Sequence, residues 1–510
     1  MSGYVSIVDT WRNTERIALT TDTEQLSYRD WAERGERLAK GLLGAGIERP
    51  ARVAVALPNG PDFAIALYAC ARIGVTFVPI STWATGPELH RILAAAAPDL
   101  VITSNFLGTQ LESFAALAAE GVGPGLRRMF NVSRGGPLRS VEELVEMGLE
   151  CSEDRWDRAG AAGSDEADLT ILYTSGSTGL PKGVILRQGT VRGNGAAIAA
   201  RMGLDESSRI YSYFPMFFSG GLCNSLSAAA SVGAELVTQA RYEPASAARL
   251  IRSRRCTARN VWHDGFDAIA SSPDFFAEDL RRMHRGLIID PSTLTRLGLP
   301  FDEGVNMYGM TETATAFAMH DFRETADVRR TTHGAPLPGN EVRTCEPGSS
   351  DPVAPGREGE ICVRGRSLMR AYTDGSDTAL TDEDGFFHTG DLGFVDDIGH
   401  VHYTGRLKTL IKVRGLTIQP EEIEAVLLRH PSIHAAVVVG VGGADESTGL
   451  RALVAADVGT RAVDIDRYCR AELSSYKVPR VQFIEDHDFP WSASRKIDRR
   501  AAAMIPEARP

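Results

Sequence analysis

Cysteine is scarce and unpatterned: seven in 510 residues, with no CxxC pair and no ligand cluster. That argues against a disulfide-stapled secreted scaffold, and it suits reduced thiols in a cytoplasm. Positive charge is in deficit. Lysine and arginine number 55 against 66 aspartates and glutamates, and the net charge of -11 argues against a nucleic-acid partner gripped through its phosphates, a local basic patch aside. No apolar run is long enough to span a bilayer. The longest, Phe63 to Ile80, is broken by Arg72 and Gly74 and reads as a helix followed by a strand. The leading MSGYVSIVDTWRNTER lacks the apolar stretch of a signal peptide, so a soluble, cytoplasmic protein is expected. Two nucleotide signatures are missing as well. After Gly176 the Walker pattern fails, since Pro181 stands where glycine is required and Gly183 follows Lys182 in place of serine or threonine. Gly440-Val441-Gly442 starts a dinucleotide fingerprint that Asp445 does not finish. There is no internal repeat and no low-complexity tract.

What is present is ordinary globular material, 43% hydrophobic and 24% charged, in a chain too long for one core, so two or more domains are expected. Ser27 and Asp30 form a capping box opening a helix that carries Trp31, Leu38 and Leu42 and stops at Gly46. Strand 52–59, helix Asp62 to Ile73, strand 76–80, helix Glu88 to Ala97 and strand 99–104 then alternate, which implies a parallel sheet covered by helices on both faces. The polar stretch from Glu150 to Asp168 reads as a solvated connector. From about Val342 to Gly405, short strands and turns (EGEICVRG, DGFFHTGDLG, GHVHYTGR) indicate a β-rich subdomain. Beyond it lies a compact unit with helix Glu421 to Arg429, strands 434–440 and 451–457, and helix Asp464 to Leu473. The fold class expected is α/β: a large N-terminal domain of parallel α/β sheets plus a small β-rich subdomain, then a small α+β C-terminal domain.

The most informative stretch is LTILYTSGSTGLPKGVIL, residues 169–186. Apolar strands flank a run of glycines and hydroxyls that cannot pack but can form a concave nest of backbone N–H groups, a binder of anions. YTSGSTGLPKG resembles the phosphate loop of the adenylate-forming superfamily: acyl-CoA synthetases, adenylation domains of peptide synthetases, and luciferases. Further motifs follow in that family's order over nearly the whole chain: MYGMTET (307–313), HTGDLG (388–393), GRLKTLIKVRGLTIQPEEIE (405–424), YKVPR (476–480) and SRKIDRR (494–500).

The resemblance implies ATP plus a carboxylic acid giving acyl-AMP and pyrophosphate, with Mg2+, and then transfer to a thiol, CoA being the co-substrate. The physical obstacle is repulsion between a carboxylate and the α-phosphate, so positive potential and oriented donors are needed there. By resemblance, Thr174, Ser175, Gly176, Ser177, Thr178 and Gly179 cradle the β- and γ-phosphates with Lys182 near. Tyr308 stacks on adenine, Thr311 bonds the α-phosphate, and Glu312 holds Mg2+. Asp391 accepts the ribose hydroxyls and Arg406 adds a guanidinium contact, whereas His388 is expected only to pack. Lys496 bridges carboxylate and α-phosphate in the first half-reaction. Lys408 is the hinge between an N-terminal core, 1–407, and a mobile C-terminal domain, 408–510. Gly415 leaves room for pantetheine to pass.

Several positions depart from the family's pattern. Arg495 replaces the glycine usual before Lys496. In FPMFFSGGL, Phe218 stands where many relatives carry histidine, so no polar role survives there. Ile288 and Ile289 replace a glycine pair and are expected to narrow the acyl pocket. Trp262, His263 and Asp264 make that pocket unusually polar. These features suit a compact polar or aromatic acid, disfavour a long straight chain, and lack the aspartate that clamps an α-amino group. Delivery to a carrier protein or an amine, activation of an unconventional oxyanion, and a non-catalytic nucleotide-binding relative are the alternatives.

Overall fold

Residues 3–107, 112–114, 116–117, 128–133, 138–174, 182–289, 291–299, 304–376, 381–407, 411–413, 416–442, 447–485, 488–490, 497 and 499–506 are described by the computed structural model. Contacts divide the chain into one unit of residues 1–82, 96–172 and 183–407 and another of 83–95, 173–182 and 408–510. This differs from a single cut after residue 407.

The larger unit is built on two mostly parallel sheets. In one, the order is Ala371–Tyr372, Lys182–Arg187, Asp168–Thr174, Thr76–Pro79, Arg52–Ala56, Leu100–Thr103, Met129–Asn131 and Arg139–Ser140. Strands covered on both faces are continuously apolar, as Val53, Ala54 and Val55 are, all fully buried. The helix Tyr28–Gly44 packs against the helix Pro61–Arg72 closely enough that a Cβ on Gly35 would collide with the Tyr68 ring. Ser27 caps it by accepting the Asp30 N–H at 3.0 Å, but the Asp30 carboxylate takes the Ser27 hydroxyl instead of its backbone N–H, so the expected reciprocal box is only half formed. The second sheet runs Arg285–Gly286, Ala258–Asn260, Arg209–Ser212, Glu235–Val237, Ile17–Thr20 and Gln25–Ser27.

The expected connector is in part a helix, Glu153–Ala162, capped by Ser152. Its anchor is Trp156, whose ring lies 4.4 Å from the Arg72 guanidinium and 5.1 Å from the Lys40 ammonium. The β-rich region is a four-stranded antiparallel sheet of Asn340–Cys345, Gly359–Gly365, Phe387–Val395 and Val401–Arg406.

The smaller unit carries a five-stranded sheet with the helices Pro420–Leu427 and Ala462–Glu472. The helix Gly86–Ala96 belongs with it because Glu88 is buried against Lys477, at 2.9 Å, and Lys477 also holds Glu422 at 2.8 Å. A buried lysine is tolerated here because two carboxylates share its charge. Among the described residues no helix is long and apolar enough to cross a membrane.

Candidate active site

Residues of two motifs meet in the larger unit. Tyr308 ends the short strand Met307–Tyr308, and its hydroxyl donates to Asp391 Oδ2. Asp391 lies mid-strand in Phe387–Val395 and is 2% exposed. One turn of 3₁₀ helix, Thr311–Thr313, follows Tyr308 and carries Thr311 and the buried Glu312.

Each carboxylate is oriented by a residue the motifs do not contain. Glu312 Oε1 accepts from the Tyr372 hydroxyl at 2.6 Å, and Tyr372 pairs with Val184, two residues past Lys182. Glu360 clamps the turn before Asp391: its Oε1 accepts the Gly390 N–H at 2.9 Å, and its Oε2 takes His388 Nδ1 at 2.9 Å. Gly390 has φ 73°, a left-handed conformation that glycine adopts without strain, and the Asp391 N–H is tied to Thr389 Oγ1 at 3.1 Å. His388 therefore does more than pack. The Tyr308 ring is stacked on Tyr403, with centroids 5.2 Å apart and planes 29° apart, so a tyrosine already covers it.

Behind the nucleotide motif runs a chain of histidines. The Asn306 N–H donates to His320 Nδ1 at 3.3 Å, which leaves the His320 proton on Nε2 to donate to Thr332 Oγ1 at 2.6 Å. Thr332 Oγ1 also accepts the Gly334 N–H, so its own proton goes to His400 Nδ1 at 3.2 Å. Burial first, then His400, His333 and two arginines, push His320 from 6.5 down to about 3. Between those values the unfolded chain binds a proton that the native state refuses, so this contribution to stability falls as pH drops below about 6.5 and is complete above it. The unfolding free energy is expected to fall on acidification from pH 7.5 to 5, by at most about 1.4 kcal/mol per pH unit from this group, and His320→Gln is expected to flatten that slope. An equal slope in both proteins would contradict the assignment.

The acyl-pocket residues divide. Trp262 packs on Phe214 at 4.5 Å, and its backbone N–H and C=O both bond the Tyr213 hydroxyl, at 2.8 and 2.7 Å. Phe218 lies half-buried against Phe217, just before a π-helical segment, Gly220–Ser227. Such segments are frequent at functional sites. Ile289 is a correction: it is 1% exposed within the core formed with Tyr211, Ile251 and Phe266, so any narrowing rests on the half-buried Ile288. Asn260 gives its amide N–H to the carbonyl of Asn224, within the π-helical segment, at 2.7 Å, while its buried Oδ1 has no partner among the described residues.

In the smaller unit Thr174 Oγ1 donates to the Lys182 carbonyl at 3.5 Å, tying the two ends of the phosphate loop together. Ser175, Gly176, Ser177, Thr178, Gly179, Lys408, Gly415 and Lys496 lie outside the described residues, as do the side chains of His263, Asp264 and Arg406.

Buried, pre-oriented carboxylates on two adjoining strand systems of the larger unit carry the motifs of an adenylate-forming enzyme. The chain belongs to the AMP-binding enzyme family: that family's profile matches residues 9–373, and the profile of the AMP-binding enzyme C-terminal domain matches residues 422–496. It is 31% identical to the indoleacetate–CoA ligase of Aromatoleum aromaticum, covering 94% of this chain and 93% of the relative. It is 30% identical to the feruloyl-CoA synthase of an Amycolatopsis species, covering 92% of each. Among solved structures, the amide bond synthetase McbA from Marinactinospora thermotolerans shares the fold with a TM-score of 0.81 at 24% identity, covering 98% of this chain and 99% of that one. The o-succinylbenzoate CoA synthetase of Bacillus subtilis does so with 0.80 at 22%, covering 98% of each.

Proposed function

We propose that this enzyme activates a compact aromatic carboxylic acid with ATP, releases pyrophosphate, and passes the acyl group from AMP to the thiol of CoA. It is then an AMP-forming acid–thiol ligase. The observation that carries the reading is the pair of oriented carboxylates. Asp391 is aimed by Glu360 and Tyr308 as an acceptor for ribose hydroxyls, and Glu312 is aimed by Tyr372 as a hard oxygen donor.

Glu312 fits Mg2+, which sits on one or two carboxylates plus phosphates and water, and the ion would neutralise charge on the phosphates. The remaining work falls to the chain. Amides and hydroxyls of Thr174 to Gly179, with Lys182, bind the β- and γ-phosphates, Thr311 bonds the α-phosphate, and Arg406 adds its guanidinium at the ribose. The Lys496 ammonium draws the acid's carboxylate against the α-phosphorus. A carboxylate oxygen bonds to phosphorus and the bond to the bridging oxygen breaks, so pyrophosphate leaves with its electron pair. The C-terminal domain then turns about Lys408 and brings Gly415 to the site, where the thiol sulfur attacks the acyl carbonyl and AMP departs.

The aromatic preference is supported by the pocket and by the company the chain keeps. Trp262, Phe214, Tyr213 and Phe218 offer ring faces, and Asn260 Oδ1 offers an acceptor for a phenol or indole hydrogen. The curated relatives are named for feruloyl and indoleacetate substrates. The test is pyrophosphate release against hydroxycinnamates, arylacetates and short aliphatic acids, with and without CoA. Pyrophosphate without thioester in the presence of CoA would move the acceptor to a carrier thiol or an amine. Gly415→Leu is expected to leave acid-dependent ATP–pyrophosphate exchange within about twofold and to abolish thioester formation, because the added side chain blocks pantetheine and not the adenylate. Equal loss of both half-reactions would contradict a two-state cycle.

A further inference from the structure

The antiparallel sheet of the larger unit gathers a second set of reactive groups, unrelated to the carboxylates above except through Glu360. Cys345 pairs with Glu360 across one ladder, while Cys362 pairs with Arg343 on one side and His388 on the other. Directly paired residues, and residues two apart on a strand, project to the same face. Three neighbouring strands thus present Cys345, Glu360, Cys362 and His388 together.

The contacts agree. His388 Nδ1 lies 3.5 Å from Cys362 Sγ and 2.9 Å from Glu360 Oε2, and Cys345 packs on Cys362 beneath Phe386. Donor atoms of Glu360, Cys362 and His388 all fall within 4.8 Å of one another. Both thiols are fully buried and Glu360 is 5% exposed. The other ring nitrogen of His388 faces Asp382 Oδ2 at 3.6 Å, and Asp382 is itself held by Arg343 at 2.6 Å.

A thiol sulfur, an imidazole nitrogen and a carboxylate oxygen supply three of the four positions of a tetrahedral zinc centre, water completing the fourth, and in such a centre sulfur and nitrogen ligands stand roughly 3.6 Å apart. A carboxylate behind the histidine is the usual outer support of such a site. Magnesium, which prefers oxygen donors, has no reason to settle there. The other cluster of the right composition, His320, Glu324 and His400, fails on its proton: Asn306 occupies the lone pair of His320 Nδ1, so Nε2 is protonated and cannot ligate.

We propose that Cys362, His388 and Glu360, with Cys345 packed against Cys362, form a binding site for a thiophilic divalent ion of the zinc class. Binding displaces the Cys362 thiol proton and shifts the single imidazole proton from Nδ1, where it bonds Glu360, to Nε2, facing Asp382. Affinity therefore rises with pH. Glu360 keeps Gly390 through Oε1 while Oε2 turns to the ion, so occupancy bears directly on the turn that aims Asp391.

The test is titration of the chelator-treated full-length protein with Co2+ alone, followed by displacement with Zn2+. One equivalent should give a thiolate-to-cobalt charge-transfer band and a tetrahedral visible spectrum, and Zn2+ should raise the unfolding temperature. Cys362→Ser should lose the band, and Cys151→Ser, at the most exposed thiol, should keep it. His388→Gln leaves both sulfurs in place and should weaken binding at least tenfold, which keeps the test decisive if a serine variant does not fold. A titration without sulfur charge transfer, or one unchanged in the Cys362 and His388 variants, overturns the site.

Discussion

Lys496→Ala is expected to slow acid-dependent ATP–pyrophosphate exchange by about 10²–10³-fold while changing the KM for ATP by no more than about threefold. The ammonium earns its effect only as two anions close on each other. In the proposed ground state the carboxylate and the triphosphate are held apart by separate sets of donors, so removing the lysine should cost little binding. In the transition state charge builds on oxygens between them, and a lost donor there is worth about 3–4 kcal/mol. Supplying preformed acyl-adenylate and CoA to the same variant should restore thioester formation to within a few-fold, because the second half-reaction does not use this side chain. Lys496→Gln is a useful companion: a neutral amide in place of the ammonium should not restore the exchange. Exchange rates equal to wild type would remove Lys496 from the chemistry.

Asp391→Ala is expected to raise the KM for ATP by about 10²-fold or more, with a smaller loss in turnover. Hydrogen bonds to a charged group contribute roughly 1.5–3 kcal/mol each, and the substitution removes two from the ribose. It also strips the Tyr308 hydroxyl of its acceptor in a buried setting. Asp391→Asn keeps one acceptor and the side-chain shape, so a rise of about tenfold is expected. Measured KM values for ATP across the three proteins decide the point; a flat series would mean that the ribose lies elsewhere.

Tyr308, Thr311, Glu312 and Asp391 were legible because each stands within a short contiguous string whose spacing is itself the signal. Their supports were not. Tyr372 reaches Glu312 across 60 residues of chain, and Glu360 reaches Gly390 across 30, through strand pairings that no local pattern announces. A carboxylate at an inward position of the strand EGEICVRG was the one available hint for Glu360. The same blindness explains the cysteines. Cys345 and Cys362, 17 positions apart, form no ligand spacing in sequence, yet antiparallel pairing sets them side by side. The helix Glu153–Ala162 was missed because its charged and small residues look solvated, and its single apolar anchor, Trp156, is held by cations. Ile289 went the other way: replacing a pocket glycine suggested lining, but the side chain turns into the core.

The reaction proposed here separates two steps, and only the first should run without CoA. Incorporation of labelled pyrophosphate into ATP, measured with a hydroxycinnamate or arylacetate and no CoA present, is the direct test. Acid-dependent label in ATP is the expected result. ATP binding without any exchange across the aromatic acids, or exchange that begins only when CoA is added, would contradict activation through an acyl-adenylate.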